Sequence, residues 1–117
     1  FLNGKEPLSA VETQIIVQFI EQYEPERMLV IHQPVNCIDF DGDAQELAAH
    51  LSDVSGMRIK RLGSRSGSLG TYFSRKKGKS IITLELPSSA STDTSVVLWD
   101  KYGELLIAFI AFPFESD

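Results

Sequence analysis

The sequence has few of the side chains from which disulfides and metal sites are built. It contains two histidines, His32 and His50, and a single cysteine, Cys37, among 117 residues. A lone cysteine excludes an internal disulfide and suits a reducing compartment, so we expect a cytoplasmic protein. The sequence also lacks the H-E-x-x-H and H-x-x-E motifs that supply two metal ligands from one helix or loop.

Long apolar runs are missing as well. No segment approaches the length of a membrane span, and the N-terminus lacks the basic-then-apolar pattern of a secretory signal. We therefore expect a soluble chain with no membrane partner. Its length and its 43% of hydrophobic residues are enough for one domain, residues 1–117, with a modest core.

The charged residues that are present are unevenly distributed. The net charge is -5, yet eight of the 11 lysines and arginines lie between residues 58 and 79, where there is no acidic residue. Such a stretch favours an anionic partner, although a solvated loop explains it equally well. Nucleic acid is not the expected partner, because only Tyr72 and Phe73 are available there to stack on bases.

Periodicity in the first half predicts two helices and a strand. Ser9 and Glu12 have capping-box spacing at the start of a helix over about residues 9–24. The apolar face of this helix comprises Val11, Ile15, Ile16, Phe19, Ile20 and Tyr23. The run "RMLVIH" predicts a strand covered on both faces.

The second helix is predicted to follow Asp43, which with Glu46 repeats the capping-box spacing, and to end at Gly56. Its buried stripe comprises Ala44, Leu47, Ala48, Leu51 and Val54.

The second half predicts two further strands and a helix. "MRIKRL" alternates like a strand, the glycine- and serine-rich stretch after it predicts mainly loop or a short exposed helix, and "SIITLELP" predicts a strand. A last helix begins at Asp93 or a nearby serine or threonine, and Gly103 weakens it locally. Strands and helices thus alternate, which predicts an α/β fold with a layered sheet and helices on both faces.

Ligands of such sheets bind at the carboxyl ends of the strands, where the sequence places His32 and Glu85. A strand-end imidazole can be a zinc ligand or a hydrogen-bonded structural residue, and a strand carboxylate can be a general base or half of an ion pair. Both alternatives remain open on the residues alone. Turn and cap roles explain Asp39, Asp41 and Asp43 better than a calcium loop does.

The order of the segments resembles a known family. "PLSAVETQIIVQFIEQYEPERMLVIHQPVNCIDFDG", "GSLGTY" and "SIITLELP" are together similar to the C-terminal half of the zinc carboxypeptidases, most of all to their murein peptide amidase branch. The resemblance implies that His32 is the third zinc ligand and that Glu85 is the catalytic general base. It also implies an α/β fold around a mixed sheet, and hydrolysis of a peptide amide, with a peptide derived from peptidoglycan as substrate.

The resemblance further implies that the chain is the C-terminal portion of a larger catalytic domain. The family's H-x-x-E ligands and its substrate-binding arginines come from a region upstream of Phe1, so we expect the 117 residues alone to be inactive. Arg65 and Ser68 are candidate substrate-binding residues, and Arg61 is a further candidate for an anionic group of the peptide. Which peptide bond is cut is not implied.

Two alternatives to an enzyme remain. In one, the basic loop over residues 58–79 makes the chain a non-catalytic binding module for an acidic partner. In the other, the chain has an assembly role, because half of a catalytic domain exposes a sheet edge and apolar surface. Such a chain would pair with the missing N-terminal half or form a homo-oligomer.

Overall fold

A mixed β-sheet lies at the centre of the structure. The computed structural model describes residues 11–63, 72–76 and 79–114. Within these ranges the sheet has three strands, in the order β1-β3-β2. They are β1 (Arg27–His32), β2 (Val35–Asp41) and β3 (Ser80–Pro87). The central strand β3 runs parallel to β1 and antiparallel to β2, and the predicted strands at 27–32 and 80–87 are confirmed.

The strand β2 is absent from the predicted elements. Gln33 and Pro34, joined by a cis peptide bond, reverse the chain after β1. The returning chain does not pair with β1, because β3 lies between the two strands. Turn-like residues before β2 and the aspartates inside it favoured a turn over a strand in the sequence interpretation.

Helices cover both faces of the sheet, which confirms the predicted α/β layers. The helices are α1 (Val11–Tyr23), α2 (Gln45–Ser55) and α3 (Ser95–Ala111). Two short helical turns, the π-type Tyr72–Lys76 and the 3-10 turn Ser88–Thr92, precede and follow β3. In the part of the chain described, no helix combines the length and the apolar composition that crossing a bilayer requires.

Two apolar clusters hold the layers together. The larger one joins β2 and β3 to α2 and α3, and its buried members are Ile38, Phe40, Ala44, Leu47, Ala48, Leu51, Ile82, Leu84 and Leu105. The smaller one joins the other face of the sheet to α1 and the π-type turn through Ile20, Tyr72, Phe73 and Ile81. Alternate side chains of β3 enter opposite clusters, as the pleat of a strand requires.

The ends of α2 confirm one predicted cap and correct the other. Gly56 ends the helix in the left-handed conformation, with φ of 74°, and its N–H bonds the carbonyl of Ser52. The capping box of Asp43 and Glu46 does not form, because the N-cap is Ala44 and no side chain caps it. Ala44 is 1% exposed, so the apolar packing of this residue sets the start of the helix.

The predicted apolar face of α1 is too wide. Ile20 is buried, and Ile16 and Val17 pack beside it against the smaller cluster. A row at four-residue spacing instead points outward and is 58–67% exposed: Val11, Ile15, Phe19 and Tyr23. The Ser9 cap lies outside the described residues. Helical periodicity therefore identified the helix but not the strip of it that contacts the sheet.

The predicted cap of α3 is present, whereas the strand predicted after α2 is reduced to a single bridge. Thr94 caps α3 by accepting a hydrogen bond from the N–H of Val97 at 3.3 Å, as a nearby threonine was expected to. Gly103 is buried in α3, and a Cβ at this position would lie only 2.8 Å from the ring of Trp99. The predicted strand "MRIKRL" is wrong in extent, since only Ile59 forms a β-bridge, to Ile38.

Candidate active site

The pleat of β3 places its polar side chain on one face of the sheet. Ile82 and Leu84 belong to the larger apolar cluster, while Ile81 belongs to the smaller one. Glu85 alternates with Leu84 and therefore lies on the face of Ile81. It is 6% exposed, at the carboxyl end of the strand. A carboxylate this deep needs partners, because its desolvation is costly.

His32 is the first of these partners. The parallel register of β1 and β3 pairs His32 with Glu85, so their side chains leave the sheet on the same face. Nδ1 of His32 lies 3.7 Å from Oε2 of Glu85. The imidazole is 51% exposed and the carboxylate 8% exposed. The two candidate residues therefore meet at the edge of the sheet where ligands are expected, although the contact does not by itself assign a role to either.

The backbone around the pair is fixed on several sides. The N–H of Val35, the first residue of β2, donates to Oε1 of Glu85 at 3.4 Å. The side-chain amide of Gln33 donates to the carbonyl of Pro87 at 3.2 Å and to Oγ of Ser91 at 3.0 Å. The chain reversal after His32 is thus bonded to the end of β3. This bracing limits movement of the imidazole relative to the carboxylate.

Cys37 lies on the other side of Glu85. The antiparallel register of β2 and β3 pairs the two residues, and Cys37 is fully buried. Burial, followed by the negative charges of Glu85 and Asp39, raises the pKa of the Cys37 thiol. A neutral, buried thiol is a poor nucleophile and a poor metal ligand. Cys37 therefore serves as packing beside the carboxylate.

Asp39 is a buried acid on the sheet face of Glu85. The sequence interpretation placed it in a turn or a helix cap. It lies inside β2, opposite Thr83, and is 5% exposed, so the expected turn or cap role is wrong for it. Its Oδ1 accepts hydrogen bonds from the N–H groups of Phe40 at 2.9 Å and Leu62 at 3.2 Å. The alternation in "VNCIDFD" was the signal that could have revealed it.

Burial raises the pKa of the Asp39 carboxyl, and the backbone hydrogen bonds from Leu62 and Phe40 oppose the rise. Between the ordinary aspartate pKa and this raised value, the folded protein holds more protons than the unfolded chain. Its free energy of unfolding must then fall as the pH rises through that window. Asp39→Asn lacks the titration, so its stability relative to the wild type should increase from about pH 4 towards neutrality.

Urea titrations of the wild type and Asp39→Asn at a series of pH values measure this difference. Asp53→Asn, on the exposed side of α2, is the matched control and should show no comparable trend. A stability difference that stays constant with pH, or that moves in favour of the wild type as the pH rises, would show that Asp39 ionises at least as easily in the folded protein as in the unfolded chain.

The basic stretch over 58–79 is only partly a free cationic surface. Arg61 forms an ion pair with Asp39 (Nε–Oδ1, 3.8 Å), and Lys79 pairs with Glu26 at 3.3 Å. The predicted substrate-binding residues Arg65 and Ser68 lie outside the described residues. Their expected roles therefore remain predictions.

The described residues do not contain a complete set of metal ligands. Across residues 11–63, 72–76 and 79–114, no three histidine, cysteine, aspartate or glutamate side chains come together as a metal site. His32 fits the role of one ligand, since its imidazole is half-exposed and its strand is rigidly held. A full zinc site needs ligands from elsewhere.

A groove also lies at the opposite end of the sheet from His32 and Glu85. It has a volume of about 1060 Å³ and is lined by residues that include Glu26, Arg27, Asp43 and Lys79. The guanidinium of Arg27 is already used, because it donates to the carbonyls of Phe109 at 2.7 Å and Phe112 at 2.6 Å at the end of α3. Arg27 thereby joins β1 to the end of α3.

Known proteins resemble this chain in structure, although its sequence alone finds no match. The sequence matches no family model and no curated protein. The structure matches the crystal structure of murein-tripeptide amidase MpaA from Escherichia coli O157, with a TM-score of 0.71 and 25% sequence identity. The match covers 100% of this chain and 46% of that protein, so the chain spans less than half its length. The chain therefore has part of a carboxypeptidase-like α/β fold, as the resemblance implied.

Proposed function

We propose that the protein to which this chain belongs is a zinc-dependent peptide amidase, with His32 as a zinc ligand and Glu85 as the general base. One observation carries the proposal: the imidazole and the carboxylate, 53 residues apart in sequence, meet at 3.7 Å at the ends of adjacent parallel strands. The structural similarity to a murein-tripeptide amidase supports a hydrolase and a peptidoglycan-derived peptide as its substrate class. The proposal requires further zinc ligands in addition to His32, since the described residues bring no three ligating side chains together.

When bound, zinc supplies a Lewis acid that polarises the scissile carbonyl and acidifies water. The role of Glu85 is to take a proton from the attacking water and to deliver it to the leaving amine. Its position suits this, because the N–H of Val35 holds Oε1 while Oε2 faces the imidazole. The buried setting keeps competing bulk water away from the carboxylate.

The proposed role of His32 as a zinc ligand depends on where its strand places the imidazole. Its strand ends at the carboxyl edge of the sheet, and the Gln33 hydrogen bonds fix the backbone that follows it. A ligand on a rigid strand loses little conformational freedom when it binds a metal. A purely structural His–Glu ion pair would place the same two groups together, but it would not require the imidazole to remain half-exposed.

A non-catalytic basic module is the weaker candidate. Two of the basic residues in the described part of the 58–79 stretch, Arg61 and Lys79, are already paired with acids. This leaves less free positive charge than the sequence suggests for an extended anionic partner.

Removal and return of zinc test the proposal on the intact protein. We expect the zinc-loaded protein to release a free amine from a murein tripeptide, 1,10-phenanthroline to abolish the release, and added zinc to restore it. The release is followed by chromatography of the two products. The proposal would be contradicted if hydrolysis continued at the same rate after zinc had been removed. It would also be contradicted if the fully zinc-loaded protein showed no hydrolysis.

A further inference from the structure

A row of apolar side chains lies exposed on the side of α1 that faces away from the sheet. The buried residues of the helix, Thr13 and Ile20, lie on the opposite side. The row extends about 18 Å along the helix. Its four members follow one another at four-residue spacing and are 58–67% exposed: Val11, Ile15, Phe19 and Tyr23. Single exposed apolar residues are common, whereas a contiguous row marks a surface that another group covers.

The outer face of α1 that carries this row has little charge. Gln18 and Gln22 are the exposed residues between its members, and Glu12 in the first turn is the charged residue on this side. The helix contains no lysine or arginine. Charged residues are depleted and aromatic residues enriched at the centres of protein interfaces, and the rings of Phe19 and Tyr23 pack 4.6 Å apart. The composition of this face is therefore that of an interface.

The spacing of the row determines how another helix can pack on it. Side chains at i, i+4 and i+8 form a ridge that is inclined to the helix axis, and two such ridges interlock when the helices cross at about −50°. A second copy of α1 offers the same ridge. With a twofold axis between Ile15 and Phe19, the two helices run antiparallel, and each ridge meets the other in reverse order.

The reversed order matches large side chains with small ones. Tyr23 of one copy lies beside Val11 of the other, and Phe19 lies beside Ile15, so the volume of each pair is similar along the contact. The antiparallel arrangement also places the start of one helix beside the end of the other, where the macrodipoles attract. Glu12 then faces Gln22 of the second copy, whose amide can donate a hydrogen bond to the carboxylate.

The net charge of the chain makes this face suitable for contact between copies. At a net charge of -5, two copies repel each other wherever acidic groups approach. A second exposed apolar strip, on α3, includes Trp99 and Ile110 but is bordered on one side by Asp100 and Glu104. An antiparallel pair of α3 helices would bring these acids together, whereas the α1 ridges bring together uncharged side chains.

The size of the contact determines its strength. A helix of 13 residues is about 20 Å long, and two helices that cross at this angle touch only near the crossing point. The buried area is therefore at the low end for specific interfaces, below about 1,200 Å² in total. A contact of this size holds a reversible dimer rather than an obligate one.

From these observations we infer that the outer face of α1 is the interface of a reversible homodimer, in which two copies of the helix cross antiparallel at Ile15 and Phe19. The dissociation constant is in the micromolar range, as for other small interfaces. The inference does not depend on the proposed amidase activity, because it uses neither His32 nor Glu85.

Sedimentation velocity of the intact protein over a range of concentrations tests the dimer. The wild type should pass reversibly from monomer to dimer. Ile15→Lys should weaken the dimer by at least about 30-fold, because it places an unpaired charge at the centre of the contact. Ile110→Lys is the matched control, since it makes the same change at an isoleucine that is 77% exposed on α3, and it should leave the dissociation constant unchanged.

The folded state is checked in the same samples. Ile15 and Ile110 are both exposed, so both lysine variants should unfold at about the wild-type temperature. A protein that stays monomeric up to about 1 mM, or a dimer that Ile15→Lys leaves intact, would overturn the inference. Loss of the dimer in Ile110→Lys alone would also overturn it, because the interface would then be on α3.

Salt distinguishes an apolar contact from an ionic one. Because the proposed contact contains no ion pair, its dissociation constant should not rise between about 0.05 and 0.5 M sodium chloride. A steep rise over this range would show that charged groups hold the copies together, against the inference.

Cross-linking tests the antiparallel crossing. Cys37 is the only cysteine of the sequence and is fully buried, so a cysteine introduced on α1 supplies the accessible thiol. A mixture of Ile15→Cys and Phe19→Cys proteins should form a disulfide between the two variants faster than either variant links to itself. Asp53→Cys, on the exposed side of α2, is the control and should not link. Faster linking of each variant to itself would contradict the antiparallel crossing.

Discussion

Replacing Glu85 with glutamine is expected to lower the kcat of the intact, zinc-loaded protein by about 10²- to 10⁴-fold, the contribution typical of a general acid–base residue. Glutamine has nearly the same shape and can still accept the Val35 hydrogen bond, but it cannot take a proton from water. The loss should therefore appear in kcat rather than in stability. Steady-state hydrolysis of a murein tripeptide measures it.

Two controls make the Glu85 result specific. Glu104→Gln makes the same chemical change at an exposed position of α3 and should leave kcat unaltered. Zinc analysis of Glu85→Gln should show full metal content, which separates lost proton transfer from lost metal. A Glu85→Gln protein that kept its zinc and hydrolysed the tripeptide at the wild-type rate would remove Glu85 from the mechanism.

Removing the imidazole of His32 is expected to have the second large effect. Losing an outer-shell partner of a metal site already costs about 10- to 100-fold in affinity, so losing a ligand should cost more. His32→Ala should therefore fail to retain zinc under dialysis conditions in which the wild type stays loaded. Its half-exposed side chain contributes little to the core, so the fold should survive.

His50 provides the matched control for this experiment. It is exposed on α2, and its ring lies 5.4 Å from the ring of Phe112, far in the fold from the β1–β3 strand ends. His50→Ala should keep its zinc and its activity. If both histidine variants lost zinc equally, the loss would reflect general destabilisation, and if neither lost zinc, His32 would not be a ligand.

The sequence was sufficient for the elements whose signals are local. The apolar run before His32, the strand around Glu85 and the glycine at the end of α2 are all in the structure as expected. Each of these signals depends on a few neighbouring residues: a short run of β-formers or a residue that tolerates positive φ. Such signals remain readable without knowledge of the tertiary fold.

The misplaced features depend on tertiary packing. The outer row of α1, which includes Ile15 and Phe19, is apolar yet exposed, because the strip of the helix that meets the sheet is the one around Ile20. The Asp43 cap fails because burial of Ala44 determines where α2 starts. Neither outcome follows from the local sequence, since both depend on what lies opposite the helix.

Some residues of the candidate site could likewise be predicted from the sequence, and others could not. His32 and Glu85 were identifiable because strand ends of α/β sheets collect functional groups and because the order of segments resembles a family. Asp39 was not, because its burial and its contact with Arg61 arise only when β2 pairs with β3 and the chain after α2 returns to the β2 edge. Asp39, predicted to be a turn or cap residue, is therefore buried by two long-range contacts, the pairing of β2 with β3 and the return of the chain after α2.

The proposed site requires His32 to bind a zinc ion that further ligands share. X-ray diffraction from the zinc-loaded intact protein, recorded on both sides of the zinc absorption edge, tests it directly. We expect an anomalous peak about 2.0–2.1 Å from an imidazole nitrogen of His32, on the sheet face that carries Glu85. A zinc peak coordinated elsewhere, with His32 and Glu85 left as a simple ion pair, would contradict it.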